Sequence, residues 1–267
     1  MSTQMLIYET AFPVSNRRHG NWSLEASGDY AFSSKVNSVP LMAVEFPPAA
    51  SEYAIVFAGT GDTIMPVVIL GMRGNQNVYL DSQGGWQARY IPAFIRRYPF
   101  IFSSDADGKT LTLCIDEAYK GFNQDGKGER LFGDDGKPTP YVDNVLKFLQ
   151  NYQAQFQRTQ AFCRKLKELD LLESMQASVT LPSGEKLALT GFMAVDRKRL
   201  KALSGDALSD LVRTDEMELV YLHLESIRNF SNMRDRLVVI PGGNAETAPE
   251  ATGKAPAAKK PDEQAAA

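Results

Sequence analysis

The densest group of side chains that can do chemistry lies in the eighteen residues 85–102, which hold six aromatic residues, three arginines and two prolines. Arginine offers a planar fork to carboxylates and stacks on rings, and arginine and aromatic residues dominate the binding energy of protein interfaces. The segment therefore predicts a recognition surface for a protein or peptide. The predicted binding residues are Trp86, Tyr90, Arg96, Arg97, Tyr98 and Phe100, together with Asp116.

Two alternatives to this surface stay open on the sequence. The segment is equally compatible with an aromatic seam of the core whose arginines form internal ion pairs. An enzyme acting on a peptide or small molecule is the second alternative. In that case Asp116 and Glu117 would pair as acid and base and would line a pocket with Tyr90 near Arg96. A deep pocket with converging polar groups would favour the enzyme.

The sequence contains no recognised metal-binding or cofactor-binding motif. The only histidines, His19 and His223, do not stand at the spacings that metal sites use. The phosphate-binding loop and the dinucleotide-binding glycine pattern are missing as well. We therefore predict no metal and no cofactor. His223 lies between leucines of a predicted helix, where we expect a hydrogen-bonded histidine at a helix–helix contact.

The two cysteines, Cys114 and Cys163, do not form a CxxC pair. We expect both to be buried and reduced, with a single disulfide between them as the open alternative. A nucleophilic pair of either thiol with His223 would need an exposed, electropositive setting, which the sequence does not show. Both cysteines are therefore predicted to be structural.

Charge and hydropathy limit the partners of the chain. It has 29 Lys and Arg against 32 Asp and Glu, a net charge of −3, and a pI of about 5.6. Its basic patches at residues 17–18, 96–97 and 197–199 are short, so we interpret them as solvated faces and predict no nucleic-acid partner. No secretory signal is visible, and glycines and a proline interrupt the most apolar window, residues 53–72. We expect a cytoplasmic protein without a membrane segment.

The elements that must position the candidate residues fall into two halves. In the first half, four apolar or alternating runs spaced about ten residues apart predict an antiparallel meander. These strands are predicted at residues 53–57, 65–70, 77–80 and 110–115, with a turn at Asp105–Gly108 before the last one.

The second half is predicted to be helical. Thr139 and Pro140 predict an N-cap and the first helical position. Apolar residues on one helical face from Val142 to Leu169 then predict a long amphipathic helix. The further predicted elements are a hairpin at residues 179–189, short helices at 196–203 and 204–212, and a longer helix at 214–236.

These elements predict one α+β domain over residues 1–240. In it, an antiparallel strand-rich N-terminal half packs against a helical C-terminal half that contains a small hairpin. Residues 241–267 are rich in Ala and Pro and contain no large apolar side chain. Since nothing there can be buried to offset the entropy of ordering, we predict a disordered tail.

The segment at residues 85–102, which we call the signature segment, also carries a family resemblance. Asn77 and the run WQARYIPAFIRRYPF at residues 86–100 resemble the SapC family of bacterial proteins. Similar stretches occur at residues 113–117, 131–140, 191–196 and 222–229, so that the resemblance spans residues 40–237. The family is named for association with surface-layer (S-layer) protein, including its assembly or export. The resemblance implies no catalytic residue. The expected function is a soluble, non-enzymatic accessory protein that binds a surface-layer or exported polypeptide.

Overall fold

A computed structural model describes residues 6–104 and 110–239 of the chain. The predicted turn at Asp105–Gly108 and the predicted tail at 241–267 lie outside these described residues. Within the described part, antiparallel sheets occupy mainly the N-terminal half and helices mainly the C-terminal half. The predicted α+β class is confirmed.

The strands of the described residues are β1 Ala11–Pro13, β2 Ser23–Leu24, β3 Ser38–Pro40, β4 Ile55–Ala58, β5 Met65–Ile69, β6 Phe100–Ser104, β7 Leu111–Asp116, β8 Phe122–Asn123, β9 Glu129–Arg130, β10 Leu172–Thr180 and β11 Lys186–Val195. They form three sheets, with the orders β10-β11-β4-β5-β3, β1-β7-β6 and β8-β2-β9.

The helices of the C-terminal half pack mainly against the five-stranded sheet and against each other. Their bounds are α1 Asn16–His19, α2 Phe46–Ala49, α3 Ala93–Arg96, α4 Pro140–Glu168, α5 Arg197–Lys201, α6 Gly205–Arg213, α7 Glu216–Ser226 and α8 Asn229–Val239. Among the described residues, no helix combines the length and the apolar character needed to cross a bilayer.

The predicted four-stranded meander is only partly correct. β4 and β5 pair as an antiparallel hairpin, as predicted, whereas β7 belongs to a different sheet. The prediction of a strand at residues 77–80 is wrong, because Leu80 forms only an isolated bridge with Trp86. The side-chain oxygen of Asn77 accepts a hydrogen bond of 2.9 Å from the Tyr79 amide. Such a local bond favours a turn over a sheet ladder.

The predicted hairpin at residues 179–189 is confirmed and is longer than expected. β10 and β11 pair over nine and ten residues, with one irregularity between Met175 and Ala177. Met193 of β11 pairs with Phe57 of β4, so the hairpin extends the sheet that the N-terminal half begins. The two halves of the chain therefore share one sheet.

The long helix begins where the sequence predicts. α4 has 29 residues and starts at Pro140. Thr139 precedes it, but its hydroxyl donates to the Arg130 carbonyl oxygen at 2.6 Å and caps no helix amide. The helix buries the predicted apolar face, which includes Val142, Leu149 and Phe162.

The helical predictions for the C-terminal part hold for the short helices and fail for the long one. Asp196 and Ser204 cap α5 and α6 through their side chains, as expected. The predicted helix at 214–236 is instead divided into α7 and α8. At this break Ser226 accepts from the Ile55 amide at 3.0 Å, and Asn229 donates to two carbonyl oxygens before β4. These buried bonds hold the junction between α7 and α8 against β4 and the residues before it.

Candidate functional site

Arg96 and Arg97 are neighbours in the sequence and lie in opposite environments. Arg97 is 4% exposed, and its guanidinium lies 4.2 Å from the ring centre of Phe94 and 5.0 Å from that of Tyr152. Arg96 is exposed, and its Nε donates to the Ile91 carbonyl oxygen at 2.9 Å. The sequence left open whether the segment is a recognition surface or a seam of the core, and the two arginines differ in this respect. Arg97 belongs to the core, and Arg96 belongs to the surface.

Trp86 and Tyr90 are half-buried and belong to one hydrogen-bond chain. The indole of Trp86 donates to the Tyr53 hydroxyl at 2.8 Å, and Tyr53 donates to the carbonyl oxygen of Tyr90. The Tyr90 hydroxyl in turn donates to Glu45 at 2.6 Å. Burial, followed by the Glu45 carboxylate, raises the pKa of Tyr90 above its usual range. Tyr90 is therefore a neutral donor that helps to hold Glu45.

Glu45 is a structural acid that the sequence analysis missed. It is 4% exposed, and besides the Tyr90 hydroxyl it accepts from the amides of Ala93 and Met42 at 2.7 and 2.9 Å. It thereby attaches the start of α3 to the loop before α2. A signal was present, because Glu45 is the one charged residue in the apolar stretch 39–50. A lone acid there indicates a buried carboxylate with several donors.

Tyr98, Phe100 and Asp116 meet around the sheet β1-β7-β6. Tyr98 is half-buried and stacks on Phe32 with ring centres 4.1 Å apart, while Phe100 is 4% exposed. Asp116 is fully buried and accepts from the Glu9 amide at 2.7 Å and from the Ala118 amide at 3.1 Å. Asp116 and Phe100 are therefore almost wholly buried and stabilise the fold, whereas Tyr98 is the half-exposed residue of these three.

The acid–base pocket of the enzyme alternative is not formed. Asp116 is occupied by backbone amides, and Glu117 accepts from Arg18 at 2.5 and 2.7 Å and contacts His19 at 2.8 Å. Tyr90 alone lies beside Arg96. The prediction that these side chains line one pocket is wrong. Each carboxylate is used by a separate part of the N-terminal segment, which sequence spacing does not reveal.

The structure instead forms an aromatic groove of about 420 Å³ next to Arg96. Its lining comes from loop residues 26–30, from the junction of α3 and β6, and from the first turns of α4. Four of the predicted binding residues line it: Arg96, Arg97, Tyr98 and Phe100. Besides the buried ring of Phe100, six half-buried aromatic side chains line the groove: Tyr30, Phe32, Tyr98, Tyr119, Tyr141 and Phe148.

The face of α4 that lines the groove follows from helical spacing. Tyr141, Asn144, Val145 and Phe148 stand at intervals of three and four residues, which places them on one side of a helix. The adjacent side carries Val142 and Leu149 into the smaller apolar cluster, against which Tyr141, Val145 and Phe148 also pack. The helix thus buries one face and offers a second, partly apolar face to the groove.

Of the two arginines that line the groove, Arg96 is the exposed one. Its guanidinium lies 5.5 Å from the ring centre of Phe148 and 5.7 Å from that of Tyr90. It forms no ion pair with any carboxylate in the described part of the chain. The acid of the lining, Asp29, accepts from the Ala31 amide at 2.7 Å. The groove can therefore bind an apolar side chain together with a negatively charged group.

The groove has no set of residues for covalent catalysis. Its lining, within residues 6–104 and 110–239, contains no cysteine and no histidine. Elsewhere, Cys114 and Cys163 are both free and buried, so the disulfide alternative does not hold for them. Burial raises the pKa of Cys163 to about 12, which removes the thiolate that a nucleophile requires.

His223 is also structural, though not in the way predicted. Its Nδ1 donates to the Ile55 carbonyl oxygen at 2.8 Å, and its Nε2 accepts from the Val195 amide at 3.0 Å. It therefore joins α7 to β4 and β11, whereas the sequence suggested a helix–helix contact. Neither ring nitrogen is left for a thiol. No group of His, Cys, Asp and Glu side chains suited to a metal ion occurs among the residues that the structure describes.

Comparison with known proteins decides the family. The model of the SapC family matches residues 14–233. The chain belongs to the SapC family. The resemblance seen in the signature segment is thereby confirmed, and the matched span of this SapC protein includes every residue that lines the aromatic groove. No curated protein and no solved structure matches the chain.

Proposed function

We propose that this SapC-family protein is a non-enzymatic accessory protein that binds a segment of another polypeptide in the aromatic groove. The observation that carries the proposal is the exposed Arg96, which lies between two rings at an open groove and pairs with no carboxylate of the described chain. Arginine and aromatic side chains supply most of the energy at protein interfaces. The bound segment offers an apolar side chain to the rings and a carboxylate to Arg96.

The size of the groove is sufficient for one or two side chains of a bound peptide segment. Its volume of about 420 Å³ is in the range of ordinary ligand pockets, about 300–1,000 Å³. Its rings are half-buried, so they lose little conformational entropy when a ligand covers them. The surface-layer association of the family supports an exported or surface-layer polypeptide as the partner, bound in the cytoplasm before export.

A photo-crosslinking experiment tests this proposal. A benzophenone amino acid replaces Asn144, which is exposed and lines the groove, in the full-length chain inside intact cells. We expect a crosslink to an exported or surface-layer polypeptide, identified by mass spectrometry. Arg96→Glu should reduce its yield at least about tenfold, since a like charge then faces the carboxylate of the ligand.

Two matched controls accompany the crosslink. Arg89→Glu reverses a charge whose side chain is 91% exposed and lies outside the groove lining, so the yield should stay unchanged. The same crosslinker at Tyr221, exposed on α7, should capture no polypeptide of this class. A yield that survives Arg96→Glu in the folded variant, or a crosslink only to proteins that are never exported, contradicts the proposal.

A further inference from the structure

A second cavity, of about 380 Å³, lies in a different part of the surface and is lined mostly by polar groups. We call it the arginine pocket, because Arg17, Arg18 and Arg130 line it. The amide side chains of Asn16, Asn21 and Gln124 complete its polar wall. It shares no lining residue with the aromatic groove, so conclusions about the two sites are independent.

Strand pairing brings the arginines together. Arg17 and Arg18 lie on α1, just before β2, and Arg130 ends β9. β2 pairs with β9 in the register Ser23 to Arg130, and the Leu131 amide donates to the Trp22 carbonyl oxygen at 3.0 Å. Two arginine positions far apart in the sequence thus face one cavity. The basic pair at residues 17–18, interpreted from sequence as a solvated face, is part of a larger cluster.

Arg18 is held in place before any ligand arrives. Its Nε and Nη2 donate to the two oxygens of Glu117 at 2.5 and 2.7 Å, and its guanidinium lies 4.2 Å from the ring centre of Phe12. The hydrogen bonds from Arg18, opposed by partial burial, lower the pKa of Glu117. Because Arg18 is fixed on both sides, its side chain loses little conformational entropy when a ligand binds.

The other two arginines have charge available for a ligand. Arg130 donates through Nη1 to Asp134 at 2.7 Å, but the Asp134 side chain is 94% exposed, and such surface pairs contribute little. Arg17 has no ion-pair partner among residues 6–104 and 110–239. The lining carries three cations against one acid, Asp134, and Glu117 outside the lining pairs with Arg18. The positive charge of Arg17 is left over and favours an anion.

One wall of the arginine pocket depends on a close approach between α1 and the turn at residues 133–136. Gly136 has φ +75°, and a Cβ there would lie 2.8 Å from Nδ2 of Asn16. Only glycine allows the turn at residues 133–136 to close this side of the cavity. The pocket is consequently shaped by the fold as well as by long surface side chains.

We propose that the arginine pocket binds a phosphate-type oxyanion, carried either by a free phosphate compound or by the headgroup of a membrane lipid. Guanidinium groups bind phosphate oxygens in pairs of parallel hydrogen bonds. Three arginines around one cavity offer more donors than the two oxygens of a carboxylate can accept, whereas a phosphate group or a pair of linked phosphates matches them. Amide side chains on the same wall suit the polar remainder of such a ligand.

Calorimetric titration of the full-length protein with pyrophosphate tests the first source. At low ionic strength we expect binding at one site, weakened at least about tenfold in Arg17→Ala and in Arg130→Ala. Arg89→Ala, which removes an exposed positive charge outside the pocket, should bind like the wild type. The midpoint of thermal unfolding of each variant shows that the fold is retained. An equal loss in Arg89→Ala would reveal a mere effect of net charge and overturn the proposal.

Flotation with lipid vesicles tests the second source. Vesicles of phosphatidylcholine with phosphatidylglycerol should carry the wild type but not Arg17→Ala if the ligand is a lipid headgroup, and pyrophosphate should release the protein. Pyrophosphate binding without flotation identifies a free phosphate compound. If the wild type binds neither pyrophosphate nor these vesicles, the pocket is no oxyanion site.

Discussion

His223 shows how much a single buried side chain contributes to this fold. The histidine is fully buried, and both of its ring nitrogens bond to backbone groups of two different strands. These bonds need the neutral ring with its proton on Nδ1. Burial lowers the pKa of His223 to about 4, because the charged form would lose its hydration.

The stability of the protein should therefore fall in mild acid. As the pH drops below 6.5, the unfolded chain takes up the proton at His223, while the folded chain does not until about pH 4. The contribution is complete above pH 6.5 and is lost progressively down to about pH 4, by roughly 3 kcal/mol in all. Urea unfolding at about pH 7.5 and about pH 5 should show a decrease of about 2 kcal/mol over this part of the range.

His223→Gln provides the control for this pH dependence. Glutamine can donate and accept a hydrogen bond, yet it does not titrate. We expect the variant to be less stable at neutral pH. We also expect it to lack the decrease in stability on acidification that we attribute to His223. If the two proteins lose the same stability between these pH values, the titration of His223 is not the cause.

At the scale of elements, α4 is attached to the N-terminal half by a buried threonine. The Thr159 hydroxyl accepts from the Ala43 amide at 2.9 Å and donates to the Gln155 carbonyl oxygen of its own helix at 2.7 Å. Thr159 is fully buried, so water cannot replace it as the partner of the Ala43 amide. The bond fixes the position of α4 relative to the loop that holds Glu45.

Thr159→Val should weaken this attachment without leaving a cavity, since valine has the same shape. The Ala43 amide loses its acceptor, and we expect the free energy of unfolding to fall by about 1–3 kcal/mol. Thr180→Val, at the exposed end of β10, should change it by less than about 0.5 kcal/mol. Equal effects of the two substitutions in urea unfolding would show that the Thr159 bond does not hold α4.

Elements that depend on local signals were predictable from the sequence, whereas most of their long-range contacts were not. The start of α4 follows from Pro140 and the apolar period, and the β4–β5 hairpin follows from two apolar runs. The environments of Arg96 and Arg97 depend on which side of α3 meets the core, and no local pattern encodes that. The approach of Arg130 to Arg17 depends on strand pairing, which has no signal within either segment.

At the scale of the whole molecule, the two halves of the chain are interleaved. The larger apolar cluster includes side chains from Ile7 to Leu237, and β4 lies between the N-terminal strand β5 and the C-terminal strand β11. Trp22 packs against the smaller apolar cluster, while Trp86 packs against the larger one. Each tryptophan therefore reports on a different part of the core.

We expect both parts of the core to unfold in a single transition. Trp22→Phe and Trp86→Phe leave one tryptophan each, and the fluorescence midpoints in urea should coincide with each other and with the midpoint by circular dichroism. Contacts shared by the two halves are the physical reason. If the fluorescence midpoint of either variant differs from the circular dichroism midpoint of the same variant, the two clusters unfold independently.

The pairing of Met193 with Phe57 has a consequence for the newly made chain. β4 and β5 leave the ribosome early, but the neighbour that covers the other edge of β4 is translated only after α4 is complete. At about 5–20 residues per second, this delay is on the order of ten seconds. For that interval the nascent protein carries a bare, apolar strand edge, which chaperones at the ribosome would have to shield from other emerging chains.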